Sequence, residues 1–125
     1  MSQLKTMDKR EKGRQAEEVV CAFLEGHGYK VLTTNYHTRQ GEIDIVAMMD
    51  KTLVFVEVKS GEEDIGISLA EKISIQKQGR IVAAAEKYLL DNDLGHDEIR
   101  FDATLVYPVN QNEWKIDHII DAFRI

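Results

Sequence analysis

The sequence predicts an α/β fold: a mixed β-sheet of four to five strands flanked by helices, in the order α-β-β-β-α-β-(β). Three observations predict it. An apolar stripe at helical spacing opens the chain, two strongly apolar segments near its middle are separated by two residues, and a long helical stretch precedes the next strand. A two-residue turn joins antiparallel neighbours, whereas strands on either side of a helix are joined by a parallel crossover. The sheet is therefore mixed, and residues 1–125 form a single domain.

The first helix runs from about Met7 to Gly26, with Ala16, Val19, Val20, Phe23 and Leu24 as its buried stripe and Cys21 beside it. Gly26 and Gly28 end it. A strand over Tyr29–Thr34 leads through a polar connection, Asn35–Gln40, to the central segments Gly41–Val46 and Leu53–Lys59 with Asp50-Lys51 as the turn. Gly61–Gly66 is an acidic loop. Ser68-Leu69-Ala70-Glu71 reads as a capping box for a helix reaching Asn92, with a break near Ser74. Arg100–Tyr107 is the next strand, stopped by Pro108, and Asn110-Gln111-Asn112 turns into an edge strand at Trp114–His118 and a short tail.

The composition, 43% hydrophobic and 30% charged, is that of a globular protein and excludes a disordered chain. No stretch approaches the ~20 apolar residues of a membrane span. Met1–Arg14 is too polar for a secretory leader, and the single cysteine cannot form an internal disulfide, so the expectation is a cytoplasmic protein. A net charge of −6 runs against general nucleic-acid binding, although lysines and arginines gather at the N-terminus and along the second helix. Lys72, Lys77, Arg80 and Lys87 read most simply as that helix's solvated face. No pair of the four histidines has metal-ligand spacing such as His-x-x-x-His.

The chemistry lies in the central segments. Each carries acids among apolar residues, and a buried carboxylate is costly unless it is paired or bound to a metal. Alternation places Glu42 with Asp44, and Glu57 with Lys59. If Asp50-Lys51 is a two-residue turn, opposed residue numbers sum to 101, so Asp44 faces Glu57 and Glu42 faces Lys59. Opposed Cβ atoms lie about 5 Å apart, where like charges repel. Two carboxylates there can share one hard divalent ion such as Mg²⁺ or Mn²⁺. The backbone carbonyl of Val58 is a further candidate ligand, and Lys59 is placed to orient a nucleophile or stabilise developing charge on a phosphoryl group. The same spacing also fits two cross-strand ion pairs with no metal.

The ordered set Gly13-x-x-Ala16-Glu17, Gly28-Tyr29, Asn35, Gly41-Glu42-Ile43-Asp44, Val54-Phe55-Val56-Glu57-Val58-Lys59, Lys77-Gln78-x-Arg80 and Arg100-Phe101-Asp102 resembles the YraN-like family of bacterial proteins, uncharacterised protein family 0102. Ile116-x-His118-Ile119 and Ala122-Phe123 continue the match. That family looks like a branch of the PD-(D/E)xK restriction-endonuclease-like superfamily, closest in pattern to archaeal Holliday-junction resolvases. The resemblance implies a restriction-endonuclease-like core in which Asp44 is the first acid, Glu57 and Lys59 are the (D/E)xK half-motif, and Glu17 is a helix-borne acid near the metal. It also implies an accessory polar contact from Gln78. Where the family usually continues Thr-Arg after the lysine, this chain has Ser60-Gly61 and then Glu62-Glu63-Asp64.

The expected function is a Mg²⁺- or Mn²⁺-dependent nuclease acting on nucleic acid, DNA first; a homodimer is an assembly compatible with it, since a four-way junction has twofold symmetry. Tyr36, Arg39, Lys77 and Arg80 are the candidate nucleic-acid contacts. Two other readings stand beside it: a nucleic-acid-binding module with little catalysis, and a structural protein whose acids are salt-bridged.

Overall fold

The computed structural model describes residues 9–61 and 73–124. Its elements follow the expected order: α1 (Lys9–Gly26), β1 (Lys30–His37), β2 (Glu42–Met49), β3 (Thr52–Ser60), α2 (Ile75–Asp91), β4 (Glu98–Asn110) and β5 (Glu113–Phe123). The five strands lie in sequence order in one sheet. β3 and β4 are parallel and every other pair is antiparallel. Among the described residues, a mixed five-stranded sheet flanked by two helices is the α/β architecture the sequence predicts.

Alternation along β3 sorts the core into two halves. Leu53 and Phe55 pack with Ile81, Ala84, Ala85 and Tyr88 of α2, whereas Val54 and Val56 pack with Ala16, Val20 and Leu24 of α1. The helices therefore cover opposite faces. The predicted α1 stripe is the buried one, with Val19 and Phe23 at its margins. α1 ends as expected: Gly28 takes φ +92°, and the Tyr29 N–H donates to the Leu24 carbonyl at 3.0 Å.

Several boundaries differ from expectation. β1 extends through Asn35 and Tyr36 to His37, with a bulge between Val31 and Thr33 and a left-handed φ of 53° at Asn35. The Ser68–Glu71 capping box lies outside the described residues. α2 begins at Ile75, where the Ser74 side chain accepts from the Lys77 N–H at 3.0 Å. Pro108 does not end β4. β3 pairs no further than Val106, so Pro108 has only β5 beside it, and a register shift follows immediately. The expected tail after His118 is a continuation of β5 to Phe123.

β5 is held by a buried carboxylate. Asp102 is fully buried and receives the Arg100 guanidinium at 2.8 and 2.9 Å, His118 Nε2 at 2.8 Å and the Asp121 N–H at 2.9 Å. Arg100 also donates to the Tyr29 hydroxyl at 2.7 Å, tying in the segment after α1. Burial pushes the Asp102 carboxyl up, but the hydrogen bonds from His118, Arg100 and Asp121 outweigh it and hold it below the ordinary aspartate value. The Arg100-Phe101-Asp102 and Ile116-x-His118 signatures thus have a structural basis. They fasten the last strand over a bulge between Phe101 and Ala103 where Asp121 adopts φ 61°.

Candidate active site

The register around Asp50-Lys51 is the predicted one: Met49 pairs with Thr52, Met48 with Leu53 and Ile45 with Val56. Asp50 meets the turn's demand for a left-handed residue with φ 52°. The ladder stops at Ile45 and Val56. Beyond it the Val58 N–H donates to Asp44 Oδ2 at 2.8 Å, so a side chain captures a backbone donor where the strands part.

Glu57 sits across from Asp44 at this parting, only 4% exposed. Its Oε1 has no hydrogen-bond partner among the described residues, and its Oε2 lies 3.7 Å from Lys77 Nζ. Burial above all, then the charge of Asp44 and a hydrogen bond between the two carboxyls, pushes the Glu57 carboxyl up to about 8, while Lys77 and Lys59 pull the other way. Near neutral pH the Glu57 carboxyl therefore favours its protonated form in the metal-free protein. Lys59 belongs to the same strand end and is half-buried.

Glu17 approaches from α1, on the opposite face. Its Oε1 accepts from Asn35 Nδ2 at 2.8 Å. Partial burial pushes its carboxyl up; Asn35 lowers it, and the charges of Asp44 and Glu42 raise it. Glu17 is thus near enough to sense both acids and is held by Asn35, a role whose only trace in the sequence is the place of Asn35 in the family pattern. Glu42 is not paired with Lys59: the ladder ends before that pair, and His37 Nε2, opposite in β1, lies 3.4 Å from Glu42 Oε2.

The glycine before Glu42 has a steric reason. A Cβ on Gly41 would overlap the Arg80 carbonyl oxygen, so the β1–β2 connection rests directly on the α2 backbone. Thr38 shapes that connection: its hydroxyl accepts from the Gln40 and Gly41 N–H groups, at 3.1 and 3.0 Å. This contact fixes the first turns of α2 relative to β2.

The remaining candidates are spread out. Lys77 is brought to Glu57. Gln78 donates through Nε2 to the Ile73 carbonyl at 3.1 Å and so secures the entry to α2. Tyr36 packs edge-on against Tyr88, with ring centroids 5.1 Å apart, and belongs to the α2-side core margin. Arg39 and Arg80 are exposed. The acidic Glu62-Glu63-Asp64 loop lies outside the described residues. Val58 enters the site through its N–H, and its side chain packs on the α1 side.

A hard divalent cation suits this donor set in its chemistry: two adjoining carboxylates, one of them Glu57, with an unpartnered buried oxygen and a raised affinity for a proton that a cation would displace. Among the described residues no group of three or more His, Cys, Asp or Glu side chains is gathered tightly enough to hold a metal. The protein donors on hand are therefore Asp44 and Glu57, with Glu17 set back on Asn35.

Fold and site together define an α/β protein with a mixed sheet between two helices and an acidic pair where two central strands separate. The pattern of the uncharacterised protein family UPF0102 matches residues 16–106, and the chain belongs to that family. It is 38% identical over 117 residues to a UPF0102 protein of Clostridioides difficile (strain 630), covering 94% of this chain and 100% of the relative. It is 40% identical to a UPF0102 protein of Desulforapulum autotrophicum, covering 93% of this chain and 95% of that one. Among solved structures, that of Pyrococcus furiosus SfsA in complex with Ca²⁺ aligns at a TM-score of 0.40 and 15% identity, over 96% of this chain and 67% of that one. Among the described residues no helix is long and apolar enough to cross a membrane.

Proposed function

We propose that this protein is a metal-dependent nuclease that hydrolyses phosphodiester bonds in nucleic acid, with branched or structured DNA as the preferred substrate class and the cytoplasm as its place of action. The observation that carries the reading is Glu57: a buried carboxyl against a second carboxyl, with one unpartnered oxygen, Lys77 at 3.7 Å and the charge of Lys59 also acting on it. Such an arrangement is destabilising unless it serves a ligand, and strained electrostatics of this kind concentrate at functional sites. Asp44 and Glu57 would hold Mg²⁺ or Mn²⁺, leaving water and substrate oxygens to complete the shell, as magnesium sites commonly do. The cation when bound supplies polarisation of a phosphoryl oxygen and acidifies an attacking water. Asp44 is oriented for this by the Val58 N–H, which fixes one of its carboxylate oxygens at 2.8 Å. Lys59 offers positive charge at the same strand end, where a phosphate's developing negative charge would be met.

The test is cleavage of junction, flap, single-stranded and duplex DNA with magnesium or manganese, beside Asp44→Ala and Lys59→Ala. Cutting that both variants lose supports the reading. A second reading, a binding module without catalysis, is favoured by the absence of a three-acid group among the described residues and by the net charge of −6. Retention of DNA in all three proteins, with no cutting in any, would select it.

A further inference from the structure

Lys77 breaks a local rule. Ser74 caps α2, so Lys77 occupies the third helical position, where an acid would both close a capping box and suit the helix dipole. The first turn of α2 holds no acid at all. A cation there is disfavoured by the positive end of the helix, and its contact with Glu57 accounts for its presence. Its position is also firmly set. Gly41 rests on the Arg80 backbone, Gln78 grips the Ile73 carbonyl, and Ile73 is itself buried in the α2-side core. The side chain is 30% exposed, so its ammonium lies at the boundary between Glu57 and solvent.

We propose that Lys77 is a substrate-binding lysine of the active site: it pairs with Glu57 until a divalent cation takes that carboxylate, and then engages a non-bridging oxygen of the substrate phosphate. This rests on the reading of Asp44 and Glu57 as the cation site. Both partners of the exchange are cations competing for one carboxylate, which gives a signature that a surface lysine or a packing residue lacks. Removing Lys77 should strengthen metal binding while weakening DNA binding.

Manganese titration by calorimetry, and binding of a fluorescein-labelled four-way junction in Ca²⁺ across a salt series, test this. The proteins are the wild type, Lys77→Met, Lys77→Arg, Asp44→Asn and Lys87→Met, the last altering an exposed lysine paired with Asp91 on the same helix. Lys77→Met should bind Mn²⁺ about fivefold more tightly or better. It should bind the junction about tenfold more weakly, with a salt slope shallower by about 0.9, the signature of one lost phosphate contact. Lys77→Arg should retain junction binding and Lys87→Met should match wild type throughout. If Lys77→Met matches wild type in both titrations while Asp44→Asn loses Mn²⁺, the role of Lys77 is overturned and the cation site stands. If Lys77→Met gains metal affinity but keeps junction affinity and slope, the phosphate contact is overturned. If the wild type binds no Mn²⁺, the cation site falls and the exchange with it.

Discussion

Replacing Glu57 with glutamine should make the metal-free protein more stable at neutral and alkaline pH. The native carboxyl titrates near 8 and the unfolded one near 4.5. Between those values the native state holds a proton that the unfolded chain has released, so stability is greatest below the lower value and falls as pH rises through the higher. Each unit of separation corresponds to about 1.4 kcal/mol, so the full span is worth roughly 5 kcal/mol, and the interval from pH 5 to 7.5 roughly 3 kcal/mol. Glutamine keeps the shape, carries no charge and removes this slope. The assay is urea unfolding in EDTA at a series of pH values for wild type and Glu57→Gln. The difference between the two curves reports Glu57 together with the groups coupled to it, Asp44 foremost, and cancels the titrating groups elsewhere in the protein. The variant should gain on wild type steadily from pH 5 to 8. Parallel curves would refute the claim that Glu57 is held buried against Asp44.

Other outcomes follow from the same contacts. Gly41→Ala should cost roughly 3 kcal/mol in urea unfolding, because the added methyl must push α2 off the β1–β2 connection. His118→Ala leaves Asp102 with one donor fewer in a fully buried site and should cost about 3 kcal/mol; chemical denaturation at neutral pH reads it. Because Asp102 titrates below the unfolded value, its contribution is present at neutral pH and is lost as pH falls through its native value. Acid unfolding of Asp102→Asn should therefore lack that component. Asn35→Gly keeps the left-handed backbone but removes the amide on Glu17, so the Glu17 carboxyl should move further up in a carbon-detected NMR titration, with stability changed by about 1 kcal/mol or less.

The facing of Asp44 and Glu57 was legible because it depends on local rules: a two-residue turn fixes the register, and alternation then decides which side chains meet. The same reasoning overreached one step further along, at Glu42 and Lys59, because pairing stops where Asp44 captures the Val58 N–H. No periodicity predicts where a ladder will end. Lys77 read as part of a solvated helix face and as a candidate nucleic-acid contact, but not as a partner of Glu57, since helical spacing says which residues share a face and not what lies opposite that face in the fold. Arg100 reaches Tyr29, 71 residues away, and Asp102 reaches His118 in the neighbouring strand, and these meetings are a property of topology that only the assembled sheet reveals. Pro108 misled for a related reason: proline excludes a central strand position, and by that point β4 has lost its β3 neighbour.

The most direct measurement is proton release on metal binding. Glu57 retains a proton up to about pH 8 in the metal-free protein, and a cation shared with Asp44 must displace it. Calorimetric titration of Mg²⁺ or Mn²⁺ at pH 7, in two buffers of different ionisation enthalpy, counts the protons released. The acidic pair as a cation site predicts about one proton per bound cation in wild type and none in Glu57→Gln. Absence of binding, or binding with the same proton count in both proteins, would contradict it.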